Sequence, residues 1–361
     1  MSSAALASPL RLSVVIASYN RGALLLRLLG QLAEQRLPRG SFEVVVVDDG
    51  STPPVAAELE AAALDLELTL VTQANTGQAA ARHVGLGRAR GEVVVILDDD
   101  MQVGPEFLSR HLEAHPEGSR NVVLGWIRPD RALDRMPLFE RYHARMLDHF
   151  VAEVRSGRLA LQGTNLCTGN VSFRRTDYLS VGGFDVSFKQ SHDAELGVRL
   201  QKAGVTLTFS DQAYTLHASD HTSLGSWMRR AFLYGVNDLQ IAHKHPEVLF
   251  ADPWRYLWLV HPLSRLPLLA SVFAPWLARP LARLGMQLAL GLDRLGAHRA
   301  AIAGTTVVYG VEYFRGVRHQ AGSLRQAVAG LRRHRRQRRV AAQRRVASSP
   351  AGEVPGSRTV P

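Results

Sequence analysis

The sequence predicts an α/β fold, a Rossmann-like, mostly parallel sheet flanked by helices, with a helical C-terminal extension. Three observations predict it. Apolar strand-like runs alternate with leucine- or alanine-rich helical stretches over the first hundred residues. The runs are nearly continuous in apolar character, as strands covered on both faces are. Aspartates gather where the runs end, the edge at which open α/β sheets bind ligands. A chain of 361 residues has room for one such domain and a substantial appendage.

In chain order, residues 12–17 form the first strand. Asn20, Arg21 and Gly22 turn the chain before Leu24, Leu28 and Leu32 recur at helical spacing. Residues 42–47, 66–72 and 92–97 read as further strands, with the alanine-rich segments 53–64 and 77–88 as helices between them. A helix is expected over 105–115, a strand over 122–127 and a longer amphipathic helix over 133–154. Beyond these, 165–173 reads as a strand, Gly182-Gly183 as a tight turn, 194–203 as a helix closed by Gly204, and 205–209 as another strand.

Composition narrows the setting. The one cysteine, Cys167, has no internal disulfide partner, and no Cys and His cluster has zinc-site spacing, which favours a reducing, cytoplasmic environment. The first residues are small and polar, without the basic and long apolar regions of a secretory signal. The formal charge is +11, and much of the excess lies after Tyr313. Residues 254–295 are rich in Leu, Pro, Ala, Trp and Arg, but His261, Pro262, Arg265 and Pro267 break the apolar stretch. A spanning helix needs about 20 mostly uncharged residues, so an interfacial amphipathic region is expected instead. The chain divides into a disordered N-terminus (1–10), an α/β domain (11–245), an amphipathic helical extension (246–322) and an arginine-rich disordered tail (323–361).

Asp98, Asp99 and Asp100 end a buried strand, where three carboxylates repel one another unless a cation or donors neutralise them. Strand alternation would set Asp98 and Asp100 on one side and Asp99 on the other. Hard oxygen ligands suit Mg2+ or Mn2+, and Mg2+ is usually shared with substrate phosphates, which implies a diphosphate-bearing substrate. A turn that merely caps the following helix is the plainer alternative. At a second strand end, one of Asp48 and Asp49 can accept from a nucleobase or ribose, or both can serve an Asx turn before Pro53. The segment from Asn75 to Arg82 brings a helix N-terminus and a basic residue to the same edge, suited to phosphate or ribose oxygens. Asp193, in Ser191-His192-Asp193-Ala194-Glu195-Leu196, is placed either as a general base or as a helix N-cap. His217 follows a strand-like stretch and can donate to a phosphate or complete a metal shell.

Taken together, Val15-Ile16-Ala17-Ser18-Tyr19-Asn20-Arg21, the segment 48–52, the segment 75–86 and Asp98 to Asp100 resemble glycosyltransferase family 2. Gly169-Asn170-Val171-Ser172-Phe173, Gly182-Gly183-Phe184-Asp185 and His192-Asp193-Ala194-Glu195-Leu196 agree, so the resemblance spans roughly residues 11–240. It implies a GT-A fold, an inverting single displacement, a nucleotide-sugar donor (UDP-, GDP- or dTDP-linked) and a divalent cation. By position, Ala17, Ser18, Tyr19, Asn20, Arg21 and Asp49 would surround the base and its sugar. Arg82, Asp98 and Asp99 would face ribose and phosphate, and Asp100, with Asp98 and His217, would ligate the metal. Asp193 matches the general base. His192 stands where the family often has glutamate, so the neighbour of the base is a neutral or cationic ring.

The segment after Trp254 also resembles the extensions by which such transferases lie against membranes, and Tyr313-Phe314-Arg315-Gly316 looks like their aromatic-Arg-Gly element. Trp254, Trp258 and Trp276 among leucines and arginines suit an interface, and the 325–345 arginines an anionic lipid surface. Peripheral attachment at the inner face of the cell membrane is therefore expected, against the plainer reading that these helices pack on the domain. The acceptor would be a glycan, a lipid-linked saccharide or a small molecule. A sugar-nucleotide pyrophosphorylase would need a Gly-rich phosphate loop after the first strand, which Ser18-Tyr19-Asn20-Arg21 is not. Specific nucleic-acid binding through the tail would leave the acidic strand ends unexplained. An inactive scaffold would not need Asp98, Asp100 and Asp193.

Overall fold

A computed structural model describes residues 10–129, 136–217 and 223–348. The apolar runs become β1 (Leu12–Ser18), β2 (Phe42–Asp48), β3 (Leu68–Thr72) and β4 (Val93–Leu97). Between them stand α1 (Gly22–Ala33), α2 (Ala56–Ala62) and α3 (Gln78–Arg88). β1, β2 and β4 are buried along almost their whole length, which is why their sequences lack alternation. Leu25, Leu28, Leu29 and Leu32 make the buried stripe of α1. α3 lies close on the sheet at Gly85, where a Cβ would stand 2.6 Å from a Val15 methyl.

The chain continues through β5 (Met101–Val103), α4 (Phe107–Glu113), β6 (Asn121–Pro129), α5 (Leu138–Arg155), β7 (Asn170–Arg174), α6 (Arg175–Ser180), α7 (His192–Lys202) and β8 (Thr206–His217). The described strands form one sheet in the order β3-β2-β1-β4-β7-β6-β8-β5. β3, β2, β1 and β4 are parallel, as expected, but β7 joins antiparallel to both β4 and β6, and β5 antiparallel to β8, so the sheet is mixed.

Several boundaries moved. The strand expected from residue 165 begins at Asn170, because Gly163–Asn165 forms a single 3-10 turn. The strand expected to end at residue 209 runs on to His217. Its polar Asp211 and Gln212 follow the Gly125–Ser210 pair and fall in an irregularity between Gly125 and Ile127, after which pairing resumes from Ile127 with Thr215 as far as Pro129 with His217. Leu133, the expected start of α5, lies outside the described residues.

C-terminal to the sheet come α8 (Leu224–Lys244), α9 (Tyr256–Leu259), α10 (Arg265–Phe273), α11 (Pro275–Arg294), α12 (His298–Gln320) and α13 (Leu324–Ser348). They share a second core containing Trp227, Trp254, Met286 and Phe314. Trp254, expected at an interface, is 1% exposed and lies 5.8 Å from the Phe314 ring. Trp258 is partly buried, with the guanidinium groups of Arg265, Arg335 and Arg338 over its ring. Trp276 does face outward, 75% exposed.

The stretch expected to be a disordered tail forms α13 as far as Ser348; residues 349–361 lie outside the described residues. Arginine is a good helix former, and Ala327, Leu331 and His334 recur at helical spacing on the docked side. His334 meets Asp252 at 3.1 Å. No described helix is long and apolar enough to cross a membrane.

Candidate active site

β1 pairs with β2 on one side and β4 on the other, so the strand order reverses there and leaves a crevice at the carboxyl ends. Ser18, at the end of β1, closes its floor by donating from Oγ to Asp99 Oδ2 at 2.7 Å. Asp98, Asp99 and Asp100 have left the strand, which ends at Leu97, so alternation does not govern them. Arg21 Nη1 spans Asp99 and Asp100, 3.0 Å from each, the pair that alternation would set apart.

Each acid has its own surroundings. Burial pushes the Asp99 carboxyl up to about 6, against the Ser18 and Arg21 contacts that pull it down. Desolvation also raises Asp98, opposed by Arg82, while the nearby charge of Asp100 adds to the rise. Burial would raise Asp100 too, but the hydrogen bond and charge of His217 and the charge of Arg21 leave it below the usual carboxylate range. His217 Nε2 lies 3.4 Å from Asp100 Oδ2, brought there by the pairing of Met101 with His217.

Among the described residues, no three His, Cys, Asp or Glu side chains converge as a ready cation cage; arginines hold the carboxylates. Asp100 Oδ1, however, is buried without a hydrogen-bond partner. An unsatisfied carboxylate oxygen beside two further acids and an imidazole fits a small hard cation.

The turn after β2 is more self-contained. Asp48 accepts from the backbone amides of Ser51 (2.9 Å) and Val55 (3.2 Å), the Asx-turn use of the residue. Asp49 accepts from Gln73 Nε2 (2.7 Å) and from the amides of Thr76 (3.0 Å) and Gly77 (2.9 Å), tying the loop before α3 to the sheet edge. Asn20, at φ 55°, is braced by Ser51 Oγ and by the Thr52 amide, and leaves Tyr19 about half exposed at the rim, with Ala17 one strand position below Ser18.

Asp193 is the second residue of α7 rather than its N-cap, a place taken by Ser191. Its Oδ1 accepts from the Ala194 amide at 2.9 Å, and the side chain stays partly open. Next to it His192 is buried, and its ring is neutral near pH 7. Burial lowers it to about 4, Arg82 adds to the fall, and Asp193 opposes it.

Sequence reasoning missed the link between the two halves of the site. Arg82, almost wholly buried, donates from Nη2 to Asp98 Oδ1 and meets His192 Nε2 with Nη1 at 2.8 Å. One guanidinium therefore joins the acidic turn after β4 to the helix that carries Asp193. Gln78 Nε2 adds a weaker contact to Asp98 at 3.3 Å. Glu195 is spent structurally, paired with Arg199, Lys244 and His245.

A mixed sheet with acids at its switch point and a carboxylate-bearing helix across the crevice gives the chain a GT-A-type α/β fold. Residues 13–180 match the model of Glycosyl transferase family 2. Validoxylamine A glucosyltransferase of Streptomyces hygroscopicus subsp. jinggangensis is 31% identical over 263 residues, which cover 66% of this chain and 62% of that one. The chain thus spans under two thirds of that relative's length. Undecaprenyl-phosphate 4-deoxy-4-formamido-L-arabinose transferase of Pseudomonas aeruginosa is 39% identical over 123 residues, 33% of this chain and 36% of that one. Among solved structures, the mannosyltransferase PcManGT from Pyrobaculum calidifontis, in complex with GDP-Man and Mn2+, aligns with a TM-score of 0.55 at 22% identity. The alignment covers 82% of this chain and 86% of that one, and the likeness is one of fold.

Proposed function

We propose that the chain transfers a sugar from a UDP-, GDP- or dTDP-sugar to an acceptor hydroxyl, with inversion at the anomeric carbon. The observation that carries this reading is Arg82, which ties Asp98 to His192 and so holds the acidic turn and Asp193 in one crevice. Asp193 takes the proton of the acceptor hydroxyl as its oxygen bonds to the anomeric carbon. The bond from that carbon to the diphosphate oxygen breaks, and its electrons leave with the nucleoside diphosphate. Attack and departure on opposite faces of the sugar invert the centre.

Ala17, Ser18, Tyr19, Asn20, Arg21 and Asp49 line the nucleoside side, with Arg82, Asp98 and Asp99 toward ribose and phosphate. Asp98 and Asp100, with His217, would hold Mg2+ or Mn2+, which when bound offsets the charge growing on the departing diphosphate. The acceptor is a glycan, a lipid-linked saccharide or a small molecule. The protein works on the cytoplasmic face of a membrane, against anionic lipid. Support for that comes from α11, whose Leu284 and Leu288 are exposed beside Arg279 and Arg283 and whose first turn carries the outward Trp276.

Thermal-shift titration of the purified protein with nucleotide diphosphates and their sugars, with and without Mn2+, tests the reading. Metal-dependent stabilisation by one nucleotide, lost in an Asp98→Ala/Asp100→Ala variant, is expected. Asp193→Asn should still bind that nucleotide but not turn it over. Near-normal turnover would assign the base elsewhere, and no stabilisation by any nucleotide would leave an inactive scaffold.

A further inference from the structure

Two residues before Asp193, Ser191 is buried with φ 56° and ψ 17°, a left-handed backbone that a serine adopts only at some cost. Its hydroxyl makes no bond to the helix it precedes. Instead Oγ donates to Asp238 Oδ1 on α8 at 2.8 Å, and the other oxygen of Asp238 accepts from the Tyr313 hydroxyl on α12 at 2.7 Å.

The two helices are built to bring those groups together. A Cβ at Gly235 would collide with the Tyr313 carbonyl, and one at Gly316 with the Phe232 carbonyl, so glycine on each helix lets the backbones touch. Asp238 follows Gly235 by three residues, on the same side of α8 as the seam. A half-buried carboxylate at a helix seam is a weak source of stability, because its desolvation offsets much of what its partners return. It can, however, fix the place of the group it holds.

We propose that Ser191, Asp238 and Tyr313 form a positioning chain through which the C-terminal helices hold the start of α7, and with it Asp193, at the reacting centre. The proposal rests on the reading of Asp193 as the base. It makes the helical layer part of the catalytic apparatus rather than only an attachment. It also gives the seam between α8 and α12 a purpose that the donor-binding residues do not supply.

Ser191→Gly tests it cleanly, because glycine accepts the left-handed backbone while the tether to Asp238 is lost. Tyr313→Phe, which leaves the α7 entry untouched, is the second variant. Initial rates of hydrolysis and transfer with UDP-glucose and GDP-mannose should show kcat down by about tenfold or more in both. KM for the donor should stay within about twofold. Hydrogen exchange at the Ala194 and Glu195 amides, which donate to Asp193 Oδ1 and the Ser191 carbonyl, should quicken while the β1 and β4 amides stay protected. Wild-type kcat with unchanged exchange at those amides would overturn the proposal. So would a loss of activity that only tracks a falling melting temperature and a rising KM. Asp193→Asn is run alongside: if it retains turnover, the base assignment fails on its own measurement and the positioning chain falls with it, whatever the Ser191 variant does.

Discussion

Arg82 Nη1 stands 2.8 Å from His192 Nε2, and since a guanidinium only donates, that nitrogen of the imidazole is the bare one. The ring proton then sits on Nδ1, a buried atom without another partner. The basic residue expected to face ribose and phosphate thus also serves as the strut between the two sides of the crevice.

Replacing Arg82 by lysine keeps the charge and loses the fork. One ammonium has to choose between Asp98 and His192, so the acidic turn and α7 lose their common anchor. Turnover should fall by about a hundredfold, the scale of a misplacement near 1 Å. Steady-state kinetics of Arg82→Lys check this, and a variant within about threefold of wild type would mean that the strut does not set the geometry.

A second expectation concerns acid. His111 is fully buried, donating from Nε2 to Asn170 Oδ1 and accepting at Nδ1 from Ser172 Oγ, both at 2.8 Å, and burial lowers it from 6.5 to about 4. Between those values the unfolded chain binds a proton that the folded protein does not, so its contribution is present at neutral pH and is lost as pH falls from 6.5 toward 4. His111→Gln cannot titrate. The stability difference between wild type and variant should therefore shift against the wild type by roughly 2 kcal/mol between pH 7 and 4.5. Urea unfolding at the two pH values measures it, and a constant difference would contradict the assignment.

Trp254 and Trp276 separate packing from surface. Trp254→Ala empties a site in the second core and should cost about 3–5 kcal/mol, whereas Trp276→Ala, at an exposed side chain, should stay within about 0.5 kcal/mol. Denaturant melts of the two variants decide it. Equal, small effects would mean that α8 to α13 do not fold as one unit with the rest.

These cases show what the sequence could carry. The strands around the switch point were legible because both of their faces are covered, and Asp98 to Asp100 and Asp193 were legible because they stand at element ends. The Arg82–His192 contact was not, since it joins residues 110 positions apart and no local pattern marks it. The continuity of β8 with the strand-like stretch before His217 was hidden by Asp211 and Gln212, polar residues that a sheet irregularity absorbs. Trp254 and α13 were misread for one reason: tryptophan and arginine suit a lipid interface and a packed amphipathic helix equally well, and only the Phe314 contact and the burial of Ala327 and His334 tell them apart.

α11 turns one such face outward. Its small residues Ala278, Ala282 and Ala289, with Met286, face the protein core, while Leu284 and Leu288 are about 60% exposed and Arg279 and Arg283 also face outward. Leucines and arginines on adjoining outward faces of one helix suit the boundary between acyl chains and anionic headgroups. Flotation with vesicles of phosphatidylcholine and phosphatidylglycerol should therefore recover the full-length protein, with recovery falling as salt rises. Leu284→Ser/Leu288→Ser should weaken recovery at every salt concentration, because the buried apolar area is lost. Arg279→Gln/Arg283→Gln should instead flatten the salt dependence. Recovery unchanged in both variants would place the lipid contact away from α11, and no recovery of the wild type would leave the exposed leucines without a membrane role.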